Sequence, residues 1–204
     1  MNLPVSHPLP GTREFTPVAA RVFSRRVWLK TALVAAGAAQ WPAGFAQSAA
    51  PDWLLADVPG ARLVGQGRLT FFGLQVYDAR LWAAPGFEAA RFEQQPFALS
   101  LTYLRGLKGL LIAERSLKEM RPLPGFDPRR ESTWQARMTE LFPDVGDGDT
   151  LAGIHLPGVG ARFVLNGRVR GQVDDALFAR LFFGIWLSPK TSEPALRQAL
   201  LGQS

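Results

Sequence analysis

Apolar and polar residues alternate along residues 62–82 and 97–105, which predicts β-strands. Residues 62–82 combine this alternation with aromatic and β-branched side chains, as is typical of one or two strands. In residues 97–105 every second residue as far as Tyr103 is large and apolar, and side chains two apart share one face of a strand. That face carries Phe97, Leu99, Leu101 and Tyr103. This segment is therefore predicted to be a half-buried strand.

From Leu107 the apolar spacing becomes that of a helix, and Pro122 ends the pattern. The predicted apolar side of this helix consists of Leu107, Leu110, Leu111, Leu117 and Met120, and the polar side carries Lys108, Arg115 and Lys118. A second helix is predicted from Glu131 to Phe142, where Pro143 follows.

The last third of the chain repeats the order of strands followed by helices. Residues 150–156 and 161–172 read as a strand and a hairpin, with Asn166-Gly167 at a tight turn because both turn positions need positive φ. Asp174 or Asp175 caps an apolar helix over residues 176–187, and Ser192 is predicted to cap a short terminal helix. The order predicts an α+β fold, with an antiparallel sheet covered by helices on one face.

The segment that precedes these elements has the three parts of an export signal. Arg25-Arg26 precede a short apolar run over residues 31–39, and Gly44-x-Ala46 matches a cleavage site. We therefore predict a twin-arginine signal peptide over residues 1–46 and one mature domain over residues 47–204. The twin-arginine translocase would deliver this domain, folded, to the periplasm. The alternatives are a chance Arg-Arg before a buried helix and an uncleaved anchor, but Pro42 interrupts the apolar run before it could span a bilayer.

Composition excludes several functions. Five of the 23 basic residues and one of the 17 acidic residues lie in residues 1–46, so the remainder carries a net charge of +2 and has no basic cluster for nucleic acid. The chain has no cysteine, which excludes disulfides, thiolate chemistry and Cys-rich metal sites. Asp144, Asp147 and Asp149 do not have calcium-loop spacing. No motif for a cofactor is found, and we predict neither a cofactor nor a metal.

Several stretches together resemble the bacterial chalcone isomerase-like family. They are Gly65-x-Gly67-Arg68, residues 76–82 (VYDARLW), Leu99-x-x-x-Tyr103, residues 112–116 (IAERS), Phe163-x-x-Asn166-Gly167, Phe178-Ala179, residues 185–187 (IWL) and the closing residues 196–202. The resemblance implies an open-faced β-sandwich, in which a long antiparallel sheet is wrapped by helices with a ligand cleft between them.

In the plant enzymes of this fold, an arginine and hydroxyl donors stabilise the oxyanion of the reaction, as electrostatic catalysis requires. The nearest arginine here is Arg68, but the family register places Leu69 at the arginine position. A one-residue offset sends a strand side chain to the opposite face, unless a bulge around Phe71-Phe72 restores the direction of Arg68. The plant threonine falls near Gly73, so the catalytic pattern is largely unmatched and catalytic residues stay unassigned.

We therefore predict a non-catalytic binder of a small lipophilic or carboxylate-bearing molecule, such as a fatty acid or an aromatic acid. The predicted ligand-binding residues are Arg68, Tyr77, Tyr103 and Arg105, with Arg68 and one tyrosine holding a carboxylate. Each also has a structural interpretation: the tyrosines as core rings, and the arginines as solvated side chains. Two alternatives stay open. One is an isomerase or lyase using Arg68 and a tyrosine hydroxyl, and the other is an accessory envelope protein whose cleft is filled by side chains.

Overall fold

A computed structural model describes residues 49–203, so the predicted signal peptide lies outside the described residues. The described part forms one antiparallel sheet of six strands, in which each strand pairs with the next along the chain. The strands are β1 (Arg62–Phe71), β2 (Leu74–Ala83), β3 (Phe97–Tyr103), β4 (Thr150–Leu156), β5 (Gly160–Leu165) and β6 (Arg168–Val173). The predicted antiparallel α+β fold is confirmed.

Five α-helices accompany the sheet in the described residues. They are α1 (Asp52–Leu55), α2 (Gly109–Met120), α3 (Glu131–Leu141), α4 (Ala176–Leu187) and α5 (Pro194–Leu200). The Oδ1 atom of Asp175 accepts hydrogen bonds from the first-turn amides of Leu177 and Phe178, so Asp175 caps α4 as one of the two predicted candidates. No described helix has the length and apolar character needed to cross a membrane.

The alternation of side chains gives the sheet two unequal faces. One face of β3 carries Phe97, Leu99, Leu101 and Tyr103, as predicted, and these residues join the main hydrophobic core with α2, α3, α4 and α5. Aromatic rings from the sheet and from α4 meet here, for instance Phe163 and Phe182 with centroids 5.2 Å apart. The four longer helices therefore cover this face.

The other face of the sheet has a smaller hydrophobic cluster, partly covered by α1. The cluster includes Trp82, whose Nε1 donates to Ser100 Oγ at 3.1 Å. Arg162 projects from the same face and forms an ion pair with Asp57, just after α1, with Nη1 and Oδ1 2.7 Å apart. This ion pair connects the chain before β1 to β5.

Two sequence predictions about helices are wrong in detail. Leu110 and Leu111, placed on the apolar side of α2, are about half exposed, while Ala113, Leu117 and Met120 are buried. The first turn of α2 reaches beyond the main core, so helical periodicity alone misplaced these leucines. Ser192 does not cap α5, because Glu193 occupies the N-cap position and makes no side-chain capping bond.

Helix α5 packs very closely on β1. At Gly65 an added Cβ would lie 2.3 Å from the carbonyl oxygen of Ala199 and 2.5 Å from that of Leu200. Such distances are far below van der Waals contact, so only glycine allows the helix backbone to approach the strand this closely. Glycine in the Gly65-x-Gly67 motif is therefore explained by the close packing of the terminal helix against β1.

Candidate functional site

A cavity of about 410 Å³ lies between the helix-covered face of the sheet and the helices. Strands β1 to β5 and helices α2 and α4 form its walls. The loop before α2, the residue after α3 and the segment between α4 and α5 also contribute. The lining residues are Leu69, Phe71, Leu74, Val76, Tyr77, Leu99, Leu101, Tyr103, Arg105, Leu107, Leu111, Ile112, Arg115, Ser116, Glu119, Phe142, Leu151, Gly153, Phe163, Phe182, Ile185, Trp186, Ser192 and Glu193.

The mouth of this cavity lies where the β1–β2 hairpin continues past the rest of the sheet. Tyr77 pairs with Tyr103, the last residue of β3, so the hairpin between Leu69 and Val76 extends beyond β3. Helix α2 begins at the same end, soon after β3. Cavity-lining residues of both elements, Phe71 and Leu111 among them, are partly exposed, so the cavity opens to the surface here.

The interior end of the cavity is apolar. Phe142, Phe163 and Phe182 form an aromatic wall. Gly153 of β4 faces these rings without a side chain of its own, and an added Cβ would lie only 3.1 Å from the ring of Phe183. This end offers contacts to an apolar group and no charged side chain.

Two buried tyrosines supply hydroxyl groups to the cavity wall. The Tyr77 hydroxyl accepts a hydrogen bond from Trp186 Nε1 at 3.0 Å, and its ring meets that of Tyr103 edge-on, with centroids 6.0 Å apart. Among the described residues, the Tyr103 hydroxyl has no protein hydrogen-bond partner. Burial raises the pKa of Tyr77 to about 12 and raises the pKa of Tyr103 further above its usual range. Both phenols therefore remain protonated near neutral pH and able to donate.

A charged cluster lies beside Tyr77. Arg115 Nη2 is 2.8 Å from Glu119 Oε1 one turn later on α2, and Ser192 Oγ donates to Glu119 Oε2 at 2.7 Å. The Arg115 guanidinium also lies over the ring of Phe71, 5.2 Å from its centroid. Glu193 completes the cluster, which gives the cavity one polar end.

The predicted site residues fall into two groups. Tyr77, Tyr103 and Arg105 all line the cavity. Arg105 is exposed at the mouth and makes no ion pair within the described residues. The structure thus brings three of the four predicted residues to one cavity.

Arg68 is the exception, and the prediction that it holds a ligand in the cleft with a tyrosine is corrected. Its Nε and Nη2 atoms donate to the carboxylate of Asp78 at 2.6 and 2.9 Å, and this pair is solvent-exposed. The guanidinium holds the pKa of Asp78 below its usual range. Leu69 lines the cavity instead, so the one-residue offset sends Arg68 to the opposite face. The register irregularity between Leu69 and Thr70 lies after Arg68 in the chain, so it does not change the face on which the Arg68 side chain lies.

The arginine that reaches the cavity from α2 is Arg115, which sequence periodicity placed on the polar side of the helix. The helix wheel does not distinguish a side chain in bulk water from one at the rim of a cavity. The available signal was its place in the IAERS stretch, where Ile112, three residues before Arg115, shares its side of the helix and also lines the cavity.

His155 has a structural role. It is 3% exposed, stacks on Phe97 with centroids 4.9 Å apart and has Nδ1 2.9 Å from the carbonyl oxygen of Gln95. Burial lowers the pKa of His155, so the ring is neutral near pH 7 and its Nδ1–H donates to that carbonyl.

Comparisons with known proteins agree with this architecture. The family model described as chalcone isomerase-like matches residues 122–202. An uncharacterised protein of Haemophilus influenzae is 33% identical over 141 residues, which cover 69% of this chain and 68% of the relative.

Among solved structures, the crystal structure of a fatty-acid binding protein of Arabidopsis thaliana superposes with a TM-score of 0.55 at 14% identity. The match covers 70% of this chain and 87% of the plant protein. At this identity the likeness concerns the fold. The family match, the shared fold and the cleft between sheet and helices agree, and the chain belongs to the chalcone isomerase-like family.

Proposed function

We propose that this protein binds one small lipophilic carboxylic acid in the cavity, without chemical conversion. The carboxylate lies at the Arg115 end, and the apolar part extends among Phe142, Phe163 and Phe182. The observation that carries this proposal is the cavity itself: about 410 Å³, lined mainly by apolar side chains, with Arg115, Glu119 and Glu193 close to Tyr77. Ligand sites of small molecules commonly have about 300–1,000 Å³ and this composition.

Arg115 is suited to the carboxylate because a guanidinium offers two parallel donors. Its present partner, Glu119, also accepts from Ser192, so Glu119 keeps a partner when a ligand carboxylate shares Arg115. The protonated Tyr103 hydroxyl, which has no partner among the described residues, supplies a further donor from the wall. The Arabidopsis neighbour, named as a fatty-acid binding protein, supports a fatty acid as the ligand class.

The alternatives drawn from the sequence receive less support. An isomerase that uses Arg68 and a tyrosine hydroxyl needs both groups at one substrate, and Arg68 lies on the other face of the sheet. The raised pKa values of both tyrosines also oppose a phenolate base. An accessory protein with a filled cleft disagrees with an open cavity of this size.

The Arg115→Met variant is expected to bind dodecanoate at least tenfold more weakly than the unaltered protein in calorimetric titration. Methionine keeps much of the apolar stem but removes a hydrogen bond to a charged group, which contributes about 1.5–3 kcal/mol. The matched control is Arg68→Met, which breaks an exposed Arg–Asp pair on the other face and should leave the affinity unchanged. Equal losses in both variants, or a loss in Arg68→Met alone, would contradict the proposed carboxylate site.

We also propose that residues 1–46 direct export by the twin-arginine route, so that the protein acts in the periplasm. The Arg25-Arg26 pair, the short apolar run and the Gly44-x-Ala46 site support this proposal. A binding protein with a preformed core is a suitable cargo for a route that carries folded chains. Cleavage after Ala46 gives a chain that begins at Gln47.

A further inference from the structure

The tip of the β1–β2 hairpin has a turn that its sequence does not favour. Phe72 and Gly73 connect the strands with φ values of 47° and 77°. The β5–β6 hairpin has the same geometry at Asn166 and Gly167, with φ values of 47° and 78°. Asparagine tolerates this left-handed conformation, whereas a bulky aromatic residue is strained in it. The chain thus keeps phenylalanine at a position where asparagine serves in its other tight hairpin.

Phe72 gains little burial in return for this strain. Its side chain is 90% exposed, and its ring meets Phe71 edge-on with centroids 4.5 Å apart. Strained residues persist at sites where a function requires them. An aromatic ring held at the end of a protruding hairpin is suited to insertion into an apolar medium outside the protein.

Phe72 belongs to a larger group of exposed apolar side chains at the cavity mouth, which we call the apolar rim. The rim consists of Phe71, Phe72, Leu74, Leu110 and Leu111, which are 44%, 90%, 54%, 49% and 55% exposed. In the described part of the chain, these are five of the eight large apolar side chains that are most exposed. Such a concentration marks an interaction surface rather than the scattered exposure normal for a soluble face.

The apolar rim is continuous with the cavity. Phe71, Leu74 and Leu111 belong to the rim and also line the cavity, so an apolar medium covering the rim would meet the cavity directly. The protruding hairpin and the first turn of α2 leave an opening between them. A deformable lipid surface can cover such a shape, whereas a rigid protein partner would need a matching groove.

Charges around the rim fit a phosphate-bearing surface. Arg105 lines the mouth and has no ion pair within the described residues, so its guanidinium is available to a lipid phosphate. Lys108 is neutralised by Asp144, and Arg115 by Glu119. Glu114, one turn along α2 from Leu110, is the exposed acid nearest in sequence to the α2 part of the rim. Because the charges near the rim nearly cancel, insertion of apolar side chains rather than net charge must provide most of the affinity for a lipid surface.

We propose that the apolar rim docks on a phospholipid bilayer, with Phe72 inserted below the headgroups and Arg105 at the phosphate level. This proposal goes beyond ligand binding and does not depend on it. If the cavity also holds a fatty acid, the docked orientation places the mouth against the acyl chains, from which such a ligand would enter.

The test is flotation with phosphatidylcholine vesicles, using the protein in the form in which its native host produces it. Phe72→Asn is expected to lower the vesicle-bound fraction at least fivefold, because it removes the most exposed aromatic ring of the rim. This variant relieves the backbone strain, so its unfolding midpoint should not fall, which separates docking from misfolding. Val169→Asn is the matched control, since Val169 is 65% exposed on β6 and lies outside the rim.

Three results would overturn the proposal. One is an unaltered protein that stays with the soluble fraction, and another is a Phe72→Asn variant that floats as well as the unaltered protein. The third is a dimer that Phe72→Asn dissociates, without vesicle binding, which would assign the rim to a second copy of the chain. A variant with a filled cavity should still float, so failure of ligand binding and failure of docking are distinguishable.

Discussion

Ile112→Trp is expected to weaken fatty-acid binding severely while the protein stays folded. Ile112 lies on the α2 wall of the cavity and is only half-buried, so a larger side chain can turn into the open space instead of displacing the core. An indole in that space occupies volume that the apolar part of the ligand needs. Dodecanoate affinity should fall about 100-fold, which corresponds to about 2.7 kcal/mol.

Stability separates a filled cavity from a damaged fold. Filling a cavity adds packing contacts and commonly stabilises a protein by about 0.5–2 kcal/mol, so the unfolding midpoint of Ile112→Trp should be unchanged or higher. Leu110→Trp is the matched control, since it puts the same residue two positions away at a site that is 49% exposed and does not line the cavity. If Ile112→Trp bound dodecanoate as well as Leu110→Trp does, the ligand would not occupy this cavity.

Gly65→Ala is expected to lower the free energy of unfolding by about 3 kcal/mol. The new methyl group would lie 2.3 and 2.5 Å from two backbone carbonyl oxygens of α5, and backbone cannot rotate away as a side chain can. The helix must shift from β1, which loosens the packing of Leu196 and Leu200 in the main core. Overpacking of this kind costs about 1–3 kcal/mol, and more where backbone has to move.

Urea denaturation provides the measurement for Gly65→Ala, with Gly106→Ala as its control. At Gly106 an added Cβ would meet its nearest atom, the carbonyl oxygen of Val145, at an ordinary 3.7 Å, and the backbone φ is not in the left-handed region. This control should differ from the unaltered protein by less than about 1 kcal/mol. Similar effects of the two substitutions would show that α5 does not need the close approach at Gly65.

The sheet was largely predictable because its alternation has a period of two and its turns have distinctive residues. Residues 97–103 form a strand with the predicted inward face, and Asn166-Gly167 forms the predicted tight turn. Helix α4 has the predicted bounds, since Asp175 provides a local capping signal and the apolar run ends at Leu187. Each of these features is determined by residues close together in the sequence, so the sequence pattern is enough to predict it.

The end of the chain shows where local signals fail. Ser192 has the residue type of an N-cap, but its hydroxyl donates to Glu119, which lies 73 residues away in sequence. A tertiary partner of this kind has no trace in the residues around Ser192. The predicted cap was therefore wrong although the helix itself, Pro194–Leu200, is present.

The candidate site was predictable only in part for the same reason. The family register placed Leu69 at the arginine position, yet Arg68 was predicted to bind the ligand; the structure puts Leu69 at the cavity and Arg68 on the opposite face. No local rule indicated that the polar side of α2 would contribute Arg115 to a cavity, because the space beside a helix depends on how the hairpin and the segment after α4 pack around it. The sequence likewise did not indicate that Phe72 lies at the β1–β2 turn, with a positive φ and an exposed side chain.

Native mass spectrometry of the protein purified from its own host tests the central claim most directly. We expect a mature chain that carries one lipophilic carboxylic acid. Organic extraction should release this acid, which should be depleted in Ile112→Trp but retained in Arg68→Met. A mature protein that carries no such acid and takes up none when dodecanoate is added would contradict the account.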